Sequence, residues 1–160
     1  MKKISDPVAI PRDVLIYMSQ RWAANLTPVR RKFVEAGLAG KSFTERAPDI
    51  PLGRLNYSFD SEGNLEWDFN SQRDTGECLI SYTSWREAYR SLADKDYDYW
   101  KAYDEGIFRL DRGQDEILKM APLMQDMARA FIKAIAETEK KFNMELPKYP
   151  SKKTKSQIKH

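Results

Sequence analysis

The chain has 160 residues, enough for one domain with a single core and terminal extensions but too few for two ordinary domains. Hydrophobic residues make up 41% and charged residues 32%, the balance of a globular protein, and no apolar run reaches the roughly 18 residues of a membrane span. The net charge of +3 is uneven: residues 147–160 hold five lysines and no acid, which leaves −2 on residues 1–146, and an acidic body argues against a folded nucleic-acid surface.

The N-terminus, MKKISDPVAIPRD, has two lysines but neither a continuous apolar core nor a small-residue cleavage site, so a cytoplasmic protein is expected. The single cysteine, Cys78, has no internal partner for a disulfide, in keeping with a reducing compartment. The first element follows Pro11: Val14, Leu15, Met18 and Trp22 share one helical face over residues 12–24. Asn25 and Leu26 then break the pattern, and Thr27-Pro28 reads as the N-cap and first position of a second, shorter helix. That helix carries Val29, Phe33, Val34 and Leu38 until Gly37 and Gly40 stop it.

Lys41 to Gly53, with Pro48 and Pro51, shows no clear periodicity and reads as a surface connection. Strand patterning follows. Leu55, Tyr57 and Phe59 alternate with polar neighbours; after a turn containing Gly63, Leu65, Trp67 and Phe69 do the same, which predicts a hairpin with one wet face. Cys78, Ile80 and Tyr82 mark a third strand over 78–83.

Ser84-Trp85-Arg86-Glu87 has the form of a capping box and opens a helix with Trp85, Tyr89 and Leu92 inward. Residues 96–104 predict a further short helix, and Gly106 ends it before a strand over 107–111 in which Phe108 and Leu110 alternate with Arg109 and Asp111. After Gly113 a helix begins, and Pro122 interrupts or restarts it because it lacks a backbone donor. Ile117, Met120, Met124, Met127, Phe131 and Ile135 then form one stripe, and Leu118, Leu123, Ala128, Ala130, Ile132 and Ala134 widen it beyond a single core-facing seam. Such a helix is sandwiched, covers a ligand cavity or pairs with another chain. Its methionines suit a surface that fits variable apolar partners.

Residues for catalysis or metal binding are sparse. The only histidine is His160, the only thiol lies in a strand, and Glu66 and Asp68 point to the wet face. Asp94, Asp96, Asp98 and Glu105 imitate the spacing of a calcium loop, but Tyr99 stands where the loop must turn sharply and Lys101 beside the ion. No glycine-rich phosphate loop precedes a helix. Neither an enzymatic activity nor a cofactor or metal is expected.

Leu65-Glu66-Trp67-Asp68-Phe69, Ser84-Trp85, Gly106-Ile107-Phe108-Arg109-Leu110, Gly113 and Leu118–Met124, in this order and spacing, resemble the sterol carrier protein type-2 family of small lipid-transfer domains over roughly residues 50–140. The resemblance implies an α+β fold: a mixed, roughly five-stranded sheet with helices on one face and an apolar tunnel between the layers for fatty acyl chains, sterols or similar lipids. It implies ligand contacts from the inward residues Trp67, Phe69, Trp85, Phe108, Leu110, Met120, Met124 and Met127, to which Phe131 is added from the same stripe. Arg112-Gly113-Gln114-Asp115 departs from the family's Gly-Asp after the last strand, and the terminal Ser-Gln-Ile-Lys-His is not a peroxisomal Ser-Lys-Leu address.

The expected organisation is a helical extension over 1–40 packed on the domain, a sterol-carrier-like lipid-binding domain over 41–142, and a basic, disordered tail over 143–160. The expected function is binding and intracellular carriage or presentation of a hydrophobic small molecule. The alternative is an interaction or accessory subunit, including a homodimer, that uses the apolar C-terminal helix. The basic tail adds a transient contact with anionic membrane as a further option, and no nucleic acid is expected.

Overall fold

In the computed structural model, which describes residues 1–150, the strand alternation builds one mixed sheet and the helical stripes cover one of its faces. The elements in chain order are β1 (Lys2–Lys3), α1 (Arg12–Leu26), α2 (Arg30–Glu35), β2 (Ser42–Arg46), β3 (Leu55–Phe59), β4 (Leu65–Asp68) and β5 (Cys78–Tyr82). They continue with α3 (Trp85–Ala93), α4 (Tyr99–Asp104), β6 (Phe108–Arg112), α5 (Gln114–Leu118), α6 (Met124–Phe142) and β7 (Met144–Glu145). The five-stranded sheet runs β4-β3-β2-β5-β6, with β2 and β5 parallel and every other pair antiparallel. This is the mixed sheet that the resemblance implies.

The central strand, β2, lies inside the segment read from sequence as a surface connection, which is thereby corrected. Register explains why its pattern was unreadable. Phe43 pairs with Tyr57 and Cys78, and Glu45 with Leu55 and Ile80, so the inward positions of β2 are one phenylalanine and one glutamate. Its outward Thr44 is fully buried as well, because the 70–77 loop folds over it: the Gly76 amide donates to Thr44 Oγ1, and Asn56 Nδ2 donates to the Ser71 and Arg73 carbonyls. Gly76 is required there, since a Cβ would stand 2.4 Å from the Phe43 backbone.

The outward face of the sheet is polar. Arg46 pairs with Asp74 and Asp111, and Arg54 with Asp74. The inward face carries Phe43, Tyr57, Phe59, Leu65, Cys78 and Ile80, all buried, and this is the face on which the helices pack. The layering puts any enclosed ligand space on the inward side.

Two helix boundaries differ from the sequence reading. Asn25 and Leu26 do not end α1: Leu26 is buried, Asn25 Nδ2 donates to the Ala130 carbonyl and to Glu137, and Thr27 has helical angles rather than those of an N-cap. Tertiary contacts with α6 therefore carry α1 through to a single 3-10 turn before α2. The helix predicted over 96–104 starts later, where the Asp98 side chain accepts from the Lys101 amide. Other local signals act as read. Ser84 Oγ accepts from the Glu87 amide, and Pro122 sits in a short turn after which α6 begins afresh.

α6 packs most extensively on α1, and then on α3. Trp22 Nε1 donates to the Met127 carbonyl at 3.0 Å, and Arg21 pairs with Glu137 at 2.8 Å. Residues 143–150 carry structure of their own: β7 pairs in parallel with β1, Met144 and Leu146 are buried, and Tyr89 Oη donates to the Pro147 carbonyl. These residues belong to the tail expected over 143–160, whose first part is thus ordered; its remainder, 151–160, lies outside the described residues.

Candidate ligand cavity

Between the β5–β6 side of the sheet and the segment from α5 to α6 lies a cavity of about 630 Å³. Its sheet wall is made by inward residues of three neighbouring strands: Ile80 and Tyr82 of β5, Phe108 and Leu110 of β6, and Glu45 of β2. Ile117, Met120, Met124 and Met127 form the wall opposite, brought there by the restart at Pro122, which offsets α6 from α5. Leu92 and the 95–100 segment close one side, and Trp22 and Tyr57 stand at the core. Trp100, Tyr103 and Leu118 line the cavity yet are 64%, 46% and 45% exposed, so it opens to solvent between α4 and α5. Exposed apolar groups at one opening form a lip over which an apolar molecule can pass.

The sequence-derived site residues divide between two places. Phe108, Leu110, Met120, Met124 and Met127 line the cavity. Trp67, Phe69, Trp85 and Phe131 are packed elsewhere. Trp67 donates its indole N–H to the Ser19 carbonyl and stacks on Phe69 beside α1. Trp85 donates to the Pro7 carbonyl, and Phe131 sits edge-on to both Trp22 and Tyr89.

Sequence reasoning did not single out the polar group in the wall. Glu45 is buried, and Tyr57 Oη donates to its Oε2 at 2.6 Å. Burial pushes the Glu45 carboxyl above its ordinary range, against the opposing pull of hydrogen bonds with Tyr57 and Tyr82. Burial, and then the Glu45 charge, raise Tyr57 and Tyr82 well above the usual phenol range, so both remain hydrogen-bond donors at any physiological pH. The Tyr82 hydroxyl is 3.4 Å from Ser91 Oγ, and Tyr99 donates to the Ser91 carbonyl. The hydroxyl of Tyr97 is buried without a hydrogen-bond partner among the described residues, and burial pushes its pKa up to about 12.

A wall this apolar can hold a molecule by burial, with a handful of polar atoms available to orient it. Among the described residues no group of three or more histidine, cysteine or acidic side chains could hold a metal ion, and no helix is long and apolar enough to cross a membrane. Cys78 is buried in β5 against Gly113, where burial raises its thiol pKa.

No protein-family model matches the chain, and no curated protein matches it. Solved structures do. The solution structure of a conserved hypothetical protein from Thermus thermophilus, described as possibly a sterol carrier protein, superposes with a TM-score of 0.51 at 13% identity, covering 94% of this chain and 99% of that one. The chain has the sterol carrier protein 2-like fold. A crystal structure of sterol carrier protein 2 superposes with a TM-score of 0.50 at 11% identity over 72% of this chain and 94% of the other. At such low identity the likeness resides in the sterol-carrier arrangement of sheet and helices, and the cavity's lining is this chain's own.

Proposed function

We propose that this protein binds a hydrophobic small molecule, a fatty acyl, sterol-like or isoprenoid lipid, in the cavity between β5–β6 and α5–α6, and carries or presents it rather than transforming it. The observation that supports this is the cavity itself: an open, largely apolar space of about 630 Å³ with a lip of exposed apolar side chains. Its volume lies within the range of roughly 300–1,000 Å³ usual for small-molecule sites. Binding would draw on apolar burial at about 25 cal/mol per Å², and flexible methionines on one wall favour loose shape selection.

The wide apolar arc of α6 has a use within the chain. Its buried residues face α1, α3 and the core, with Met124 and Met127 at the cavity, which favours the small-molecule reading over subunit pairing through this helix. The test is mass spectrometry of lipid extracted from purified protein, together with titration of a neutral solvatochromic dye. Met124→Glu places a charge on a half-buried wall position and should weaken dye binding at least about tenfold while the unfolding transition stays cooperative. Absence of both co-purified lipid and dye uptake would overturn the proposal.

A further inference from the structure

Glu45 is the only charged residue among the inward positions of the five strands, and it stands in the wall of an otherwise apolar cavity. It is 9% exposed and makes no ion pair among the described residues. A carboxylate offers about four lone-pair positions, and here the Tyr57 hydroxyl donates to one oxygen at 2.6 Å. The remaining acceptor capacity faces a low-dielectric space, where an unanswered carboxylate is costly. Around the opening, Lys95 is accompanied by Asp96 and Asp98, so the charged lining as a whole is acidic.

We propose that Glu45 is a head-group acceptor and that the ligand is an amphiphile whose polar end donates a hydrogen bond, a hydroxyl or a protonated amine, rather than a carboxylate. The proposal rests on the cavity being a lipid site. A hydroxyl or ammonium supplies a donor to the acceptor positions of Glu45 that Tyr57 leaves open. A carboxylate head would set two like charges side by side away from water. The carrier reading does not by itself require such selection, because apolar burial alone would accept any head group that can reach solvent at the lip.

The experiment is competition of dodecanol, dodecylamine, dodecanoate and methyl dodecanoate against the neutral dye on the full chain, at about pH 8, where an ordinary carboxyl is ionised. Dodecanol and dodecylamine should displace the dye at concentrations at least about tenfold below those needed for dodecanoate, with the methyl ester between them. In Glu45→Gln, dodecylamine should lose its advantage and dodecanoate should gain at least about fivefold. Dodecanoate binding as well as the alcohol and amine in the native protein overturns the head-group assignment and leaves the carrier reading standing. So does a Glu45→Gln protein that folds and binds the dye but keeps the native ranking. If neither the dye nor any of the four compounds binds, the carrier reading fails and this inference with it. The native ranking alone can refute the assignment if the variant does not fold.

Discussion

Glu45 has a buried carboxyl, Tyr97 has a buried hydroxyl without a hydrogen-bond partner among the described residues, and both line the cavity. Burial raises the Glu45 carboxyl above the 4.5 it has in an unfolded chain. Below that value both states are protonated and the group is neutral with respect to folding. As pH rises past it, the unfolded chain loses the proton first, so stability falls until the folded group also ionises. Glu45→Gln cannot titrate. Its urea midpoint should therefore gain on that of the native protein as pH increases from about 4.5, and a gap between the two that ignores pH would contradict this origin. Tyr97→Phe removes a buried hydroxyl that has no partner among the described residues, so stability should hold or rise by up to about 1 kcal/mol in denaturant unfolding, whereas a clear loss would mean that the hydroxyl is satisfied in solution.

At the scale of elements, the α1–α6 seam and the cavity wall divide the work of α6 between stability and binding. Phe131 faces Trp22 and Tyr89 and is buried, so Phe131→Ala should cost about 3–5 kcal/mol in chemical denaturation yet leave dye affinity within about threefold for the folded fraction. Met124→Glu should show the reverse pattern. The same division explains what could be read from the α6 stripe. Periodicity put Met120, Met124, Met127 and Phe131 on one face, but one face of this helix meets both the cavity and the core, and the restart at Pro122 sets which residue meets which. On the sheet, alternation sufficed for β3, β4 and β5, whose inward residues are apolar, and gave nothing for β2, whose inward residues are Phe43 and Glu45.

Across the whole molecule, the two ends of the described chain are held together. β1 pairs with β7, Ile4 donates its amide to the Glu145 carbonyl, and Tyr89 Oη holds the Pro147 carbonyl at 2.7 Å. A chain ending at residue 142 loses the buried Met144 and Leu146, and should be less stable by on the order of 3 kcal/mol than one ending at residue 150, as measured by urea unfolding. Equal stability would show that the domain ends at α6, where the sequence pattern placed its limit.

The sequence by itself determined most of the elements, the one-sided sheet and the apolar character of what lies between the layers, because alternation, capping and helical stripes are local consequences of residue order. Tertiary structure decided three things: the place of β2 at the sheet centre, the continuation of α1 past Asn25, and the assignment of aromatic residues to cavity or core. Each depends on contacts between residues far apart in the chain. The pairing of Glu45 with Leu55 and Ile80, and its hydrogen bond from Tyr57, in particular carry a charge into the wall that no periodicity could have announced.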